Sequence, residues 1–507
     1  MSLLTWSWFF LAIYVALMVW FGYLGSRRVA SADDFAVARK GYGPFVLALA
    51  FASTAASGAT FLGVPGLSYS YGFSVIWLSF LYPVGIYFGV WICQRTIASD
   101  GNRLGARSIP EYLGDRYQSE ALRVSAAILS LMLLFYLAGQ LLAGLVMFEM
   151  MLGVPKIVAL VVTTLVLLCY VTLGGAHADI LTDSTQGALM VILAIAVIIL
   201  FITGTGFGGL DALLDNLGRQ DSRLLGWFNP EVPIVASPWS MFAIVVSHIP
   251  LGLLPHMGNK IWALRDEESR NRFLILALAF GLILPGMALG GLTARALLGD
   301  SLIASGANVA LPKMFIALFP TWLAAMLGVG VLAAVMSTAD GLVISTSQVF
   351  ANDIFRRSIA PRKYMHLTEQ QLDHKVLVIS RAVTTLVLLG SAVLAWFTIE
   401  LNVVLLIWAG VGGFIAALAG PLVLGSIWNG VTSRGALAGF WTGAIMFILI
   451  HTQTISAMWP MAESLQAAGD WFSFHSKSPY SAATMAGLLG AGVTVFVSRA
   501  GDNHAIS

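Results

Sequence analysis

Charge is scarce in this sequence. Asp, Glu, Lys and Arg make up 10% of its 507 residues, against about 25% in soluble domains, and the mean hydropathy is +0.85. The shortage excludes a water-soluble fold. A soluble enzyme of this length shows polar turns every 10–20 residues, roughly, whereas here apolar stretches follow one another across short polar gaps. Cysteine is nearly absent too. Cys93 and Cys169 both lie inside apolar stretches, which excludes a disulfide framework and a paired-cysteine metal site. The histidines, His177, His248, His256, His366, His374, His451, His475 and His504, are scattered over different spans and loops without metal-ligand spacing. The glycine-rich run from Gly204 to Gly209 follows no strand pattern and is not a nucleotide loop. Lacking a nucleophile, base or metal cluster at membrane depth, the chain is not expected to be an enzyme. The first apolar stretch, Trp6 to Gly25, has no basic residue before it and no small-residue cleavage site after it, and so reads as a retained span.

What is abundant is long apolar sequence. A helix needs about 20 mostly apolar residues to cross the hydrocarbon core. That yardstick predicts an all-α membrane protein with about thirteen transmembrane helices, at approximately 5–25, 44–72, 74–98, 122–152, 157–174, 178–206, 238–258, 273–298, 321–346, 376–397, 403–427, 436–453 and 479–499. Cytoplasmic loops retain Lys and Arg. Of the 27 basic residues, 20 fall in one alternating set of loops, six in the other, and Arg381 inside a span. The expected placement is a multi-pass protein of the cell's inner (plasma) membrane, N-terminus outside and C-terminus cytoplasmic.

Two spans carry helix-breaking residues at mid-depth. The second contains Ser53-Thr54-Ala55-Ala56-Ser57-Gly58 and then Gly63, Pro65 and Gly66; the seventh contains Ser247-His248, Pro250, Gly252 and Pro255-His256. Unpaired backbone at that depth is tolerated where it lines a cavity or is buried in protein, and transporters place binding sites at such breaks. The five-span separation of the two breaks predicts two five-helix repeats of opposite topology. Small residues also serve plain helix packing, and that reading applies to either segment alone. In the ninth span, Ser337 and Thr338 precede Asp340, hydroxyls of the kind an alkali cation takes as ligands, although such hydroxyls also bond back along their own helix. Between the fifth and sixth spans, Asp183 and Gln186 follow Gly174-Gly175. A carboxylate there is a functional candidate by its cost, or a helix cap, and the two readings are compatible.

Together these stretches resemble the sodium:solute symporter family, which includes bacterial proline, pantothenate, acetate and sialic acid transporters and animal sodium–glucose cotransporters. The resemblance rests on Ser31 to Arg39, Ser57-Gly58 through Pro65-Gly66, Gly174-Gly175 through Thr182-Asp183 and Gln186, and Ala334 to Thr338. It implies leucine-transporter-like inverted five-helix repeats with broken first helices, and alternating access. The expected layout is a leading helix and loop in 1–43, repeats in 44–206 and 238–427 around an external loop in 207–237, and two trailing helices with a short tail in 428–507. By motif, the resemblance implies a co-transported sodium ion held by the carbonyls of Ser53, Ala56 and Ala334 and the hydroxyls of Ser337 and Thr338. Asp183 then lies on the inner ion pathway, with Asp340 beside it. Further serines that mark a second sodium site in some members are here Asp340 and Gly341, which speaks against that site. The proline transporters' aspartate in the second span is here Ala55.

Substrate candidates are Ser57, Gly58, Tyr136, Gln140, Ser247, Pro255 and Trp408, with His248 and His256 bordering the second break. The expected function is sodium-coupled import of a small organic solute, leaning toward a carboxylate such as pantothenate or a monocarboxylate. Amino-acid or sugar symport, proton coupling through Asp340, and a transporter-like sensor are the alternatives. A sensor is expected to carry a signalling domain after its last span, where only Gly501 to Ser507 follow, unless a separate partner supplies one. The expected partners are the solute and membrane lipid, not nucleic acid, and the oligomeric state is left open.

Overall fold

In the computed structural model, residues 1–28, 36–266, 268–304, 307–458 and 466–503 are described, with backbone alone at 95, 169–174 and 501–503. Ser31 to Phe35 of the first motif, the Cys169 side chain, His504 and the end of the tail lie outside the described residues. Among the described residues the chain is helical, without a strand beyond a single bridge between Tyr42 and Leu264. Lipid-facing positions carry large apolar side chains such as Trp8, Trp91, Ile192, Leu386 and Phe496, the inverse of a water-soluble surface.

Ten of the described helices are long and apolar enough to cross a bilayer, or eleven counting a pair bent by 64° at Leu254. The difference from thirteen has a local cause. The predicted 44–72 span is a 12-residue helix, Pro44–Ala55, that stops and resumes at Ala59 in a helix continuing into the next span. The predicted 157–174 and 178–206 spans are two helices within Lys156–Thr203, parted at Gly175 with φ 56° and ψ −155°. That conformation is open to glycine and costly for any residue with a Cβ.

Depth in the bundle differs sharply between helices. The apolar window of Leu3–Ser26 is 22% buried and that of Thr321–Lys363 is 94% buried, so the helix carrying Ser337 and Thr338 is central and the first helix peripheral. The central helix lies against Pro44–Ala55, and Lys156–Thr203 approaches from the other side. At Gly187 a Cβ would meet the Leu49 carbonyl oxygen at 2.6 Å and the Ser53 Cβ at 3.2 Å. This close approach carries Asp183 onto the end of the Pro44–Ala55 helix.

Candidate functional site

The first break is built by sequence. The Pro44–Ala55 helix ends where Ala56 leaves helical geometry (φ −92°, ψ 75°), and Ala59–Gly63 restarts the chain as a wider π-helical turn. Gly58 sits between two helices, where a Cβ would meet Ala143 at 2.8 Å and Val335 at 3.2 Å. Its freed N–H donates to Gln140 Oε1 at 2.9 Å, and the Ala59 N–H donates to the Ser57 hydroxyl at 3.2 Å. Ser57, Gly58 and Gln140 therefore meet at the break, and the Gln140 amide nitrogen has no hydrogen-bond partner. Such buried groups cost free energy unless something satisfies them.

On the other side of the same break, the central helix presents its two hydroxyls. Ser337 Oγ donates to the Ser53 carbonyl at 3.2 Å and to its own Ala334 carbonyl at 3.1 Å; Thr338 Oγ1 donates to the Thr54 carbonyl at 3.0 Å. Among the described residues no donor reaches the Ala56 carbonyl. The carbonyls of Ser53, Thr54 and Ala334 and the hydroxyls of Ser337 and Thr338 thus form one cluster of neutral oxygens, and Ala56, at the break beside it, is buried with them. Oxygen donors of this kind suit hard cations.

Asp183 lies next to this cluster and is fully buried. Its Oδ2 accepts from Thr54 Oγ1 at 2.8 Å and from the Lys260 ammonium, while its backbone carbonyl accepts from the Ser53 hydroxyl at 3.0 Å. It sits eight residues past the Gly175 interruption, inside continuous helix, so it caps no helix end. Gln186 donates to Tyr14 Oη at 2.5 Å. Asp340 is buried on the central helix, half a turn beyond Thr338.

The second break lies in the Pro238–His248 and Pro255–Ile261 pair. Pro255 occupies the first position of the latter, where its missing N–H costs nothing. A cavity of about 40 Å³ lies between the two breaks, lined by Ser57, Thr60, Tyr82, Tyr136, His248, Trp408 and Tyr480 among others, none of them charged. The rings form one assembly: His248 is 4.7 Å from Trp408 and 5.5 Å from Tyr480 between centroids, Trp408 is 4.5 Å from Tyr480, and Tyr82 is 5.7 Å from His248. His248 Nδ1 is 2.6 Å from the Ile244 carbonyl oxygen. A carbonyl only accepts, so Nδ1 carries the proton and Nε2 is left as an acceptor. Thr60 and Tyr82 share a hydroxyl hydrogen bond of 3.0 Å. The volume suits a few waters and falls short of the several hundred Å³ of ligand pockets, so the rings must part before an organic solute fits.

Among the predicted substrate residues, Ser57, Tyr136 and Trp408 line this cavity, and Gly58 and Gln140 adjoin it. Ser247 bonds back to the Ile244 carbonyl at 3.1 Å, and Pro255 is buried at the start of its half-helix; neither lines the cavity. Thr60, Tyr82 and Tyr480 were missed, because an aromatic or hydroxyl residue in an apolar span gives no sign of the direction it faces.

Two interrupted helices in one bundle, the first held to hydroxyls of a central third helix, are the arrangement of a secondary active transporter. The structure of an Na+-coupled sialic acid symporter in a substrate-bound outward-open state superposes with a TM-score of 0.70 at 18% identity, covering 96% of this chain and 97% of that one. That of Mhp1, a nucleobase-cation-symport-1 family transporter, superposes with a TM-score of 0.53 at 14% identity over 92% and 95%. The fold is the leucine-transporter-like one. The model of the sodium:solute symporter family matches residues 35–443, and the chain belongs to that family. Curated relatives include the Haemophilus influenzae sodium/pantothenate symporter, 26% identical over 433 residues (85% of this chain, 86% of that protein). The Escherichia coli sodium/proline symporter is 27% identical over 458 residues (86% of each). The protein is thus a multi-pass, sodium-coupled solute symporter, a transporter rather than an enzyme.

Proposed function

We propose that this symporter imports a small organic carboxylate, pantothenate or a monocarboxylate, together with one sodium ion per cycle. The observation that carries the sodium half is the meeting of Ser337 and Thr338 with the carbonyls of Ser53 and Thr54 at the first break. The ligands are the carbonyls of Ser53, Ala56 and Ala334 and the hydroxyls of Ser337 and Thr338, and Asp183 takes the ion on its inward path, with Asp340 further along. Sodium draws the Pro44–Ala55 helix onto the central helix and so shapes the solute cavity on the opposite face of the same break. Carried with a singly charged carboxylate, one sodium ion moves no net charge, so the sodium concentration gradient drives accumulation, at about 1.4 kcal/mol for each tenfold of gradient.

The solute half rests on the cavity's chemistry. Ala55, which lines it, puts a methyl where a carboxylate would favour a cationic group, and sodium bound on the other face of the break favours an anion. The pantothenate relatives support the same class. Proline is the second reading, since sodium/proline symporters match to a similar degree. The basic-residue distribution supports an inner-membrane orientation with the N-terminus outside, and the two matching breaks support repeats in 44–206 and 238–427.

Uptake into proteoliposomes tests this reading. Labelled pantothenate, short monocarboxylates, proline and a sugar are offered under an inward sodium gradient and, separately, a proton gradient. The expected result is sodium-driven uptake of a carboxylate. Uptake of proline alone would replace the substrate, and proton-driven uptake that requires Asp340 while sparing Ser337 would replace the coupling ion.

A further inference from the structure

Lys260 sits where a lysine is expensive. It is the next-to-last residue of the Pro255–Ile261 half-helix, 4% exposed, with its ammonium 2.9 Å from Asp179 Oδ2, in contact with Asp183 Oδ2, and 2.8 Å from Thr54 Oγ1. Asp179 and Asp183 lie four residues apart on continuous helix and so share one face. Two carboxylates from one helix therefore converge on one ammonium supplied by the second broken helix. Thr54, the shared neighbour, also offers its carbonyl to Thr338. The ammonium is thus one residue removed from the neutral-oxygen cluster.

The pocket is only half satisfied. Asp179 Oδ1, Asp183 Oδ1, Asn259 Oδ1 and both ring nitrogens of His256 are buried without a hydrogen-bond partner. Asp179, Asn259, His256, Lys260 and Ser345 line a cavity of about 20 Å³, room for a single water-sized occupant. A bare carboxylate beside a sodium site is itself a place for a cation, and an ammonium on a side chain is a cation that cannot leave.

We propose that Lys260 is a tethered cation: its ammonium holds the place beside Asp183 that a second sodium ion would take, which limits the transporter to one sodium. It yields Asp183 to the departing ion by withdrawing onto Asp179 and the cavity beside Asn259 and Ser345. This rests on the reading of Ser337 and Thr338 as sodium ligands. A purely structural salt bridge predicts a loss of stability on removal of Lys260, with no change in sodium stoichiometry.

Equilibrium binding of radioactive sodium to the purified full chain, at constant ionic strength with potassium, separates the two. Wild type and Lys260→Arg bind one ion. Lys260→Gln binds a second, twice the sodium at saturation. The double variant Lys260→Gln with Asp179→Asn keeps the net charge of the pocket and leaves Asp183 without its ammonium, so it too binds two, and it serves if the single variant does not fold. Adding Asp183→Asn to Lys260→Gln restores one. A double variant that binds one sodium with wild-type affinity overturns the proposal. Loss of sodium binding in Ser337→Ala reports on the oxygen cluster instead, so the two readings fail separately.

Discussion

The two faces of the first break are built from opposite materials. Toward the central helix, Ser53, Thr54, Ala334, Ser337 and Thr338 present small neutral oxygens at hydrogen-bond distance, several of them from the backbone. Toward the second break, Tyr82, Tyr136, His248, Trp408 and Tyr480 present rings, with polar atoms confined to a few edges. The difference matches what each face has to do under the proposed function. A small hard ion needs several fixed oxygens, and backbone carbonyls at a break supply them without adding charge. An organic solute needs apolar area and a few oriented polar groups, and rings that stack on one another can part and close again. One interrupted helix forms a wall of both, so a change at one face is transmitted to the other.

This division can be broken from either side. The largest effect is expected at the oxygen face. Ser337→Ala removes a hydroxyl from the cluster and should raise the sodium concentration for half-maximal uptake by about ten- to hundredfold, or about 1.4–2.8 kcal/mol, as measured by uptake against sodium concentration at saturating solute. Asp183→Asn comes next. It should slow turnover about tenfold while shifting equilibrium sodium binding far less, because the amide keeps a partner for Thr54 but lacks the charge that receives the ion. An unchanged uptake rate would reduce Asp183 to a structural partner of Lys260.

Changes on the ring face should touch the solute and spare sodium. Trp408→Ala removes the ring packed on His248 and Tyr480, and should weaken solute binding about three- to tenfold, in line with about 0.5–1.5 kcal/mol per aromatic pair. Sodium binding in the absence of solute should hold at the wild-type value. Thr60→Val removes the hydroxyl partner of Tyr82 and should weaken solute binding about threefold, the size of one neutral hydrogen bond. Should either ring-face variant change sodium affinity in the absence of solute, the two faces are not separable as described.

The breaks were legible because they are written in residues with strong local consequences. Ser53 to Gly58 and Pro250 to Pro255 lie in the middle of apolar stretches, and the chain does leave regular helix at both. The number of spans was less legible. A 12-residue helix at Pro44–Ala55 falls short of the length rule, because the chain breaks there and resumes at Ala59. Lys260 was misread most instructively. It is one of the 20 basic residues counted to one alternating set of loops, together with Arg265 and Arg270, yet the half-helix continues through it and buries it against Asp179 and Asp183. Charge counting assumes that a basic residue near the end of an apolar stretch lies in water, and only the three-dimensional convergence of two carboxylates overrides that assumption. The ring cavity was half legible for a similar reason. Tyr136 and Trp408 were among the substrate candidates, while Tyr82 and Tyr480 are two of 13 tyrosines with nothing local to set them apart.

Thermal stability of the purified protein, measured in sodium and in potassium with and without pantothenate or a short monocarboxylate, for wild type and Ser337→Ala, tests the central claim most directly. The account predicts that sodium stabilises wild type, that the carboxylate adds to this only in sodium, and that Ser337→Ala needs far more sodium for both effects. Equal stabilisation by the solute in potassium, or a Ser337→Ala response identical to wild type, would contradict it.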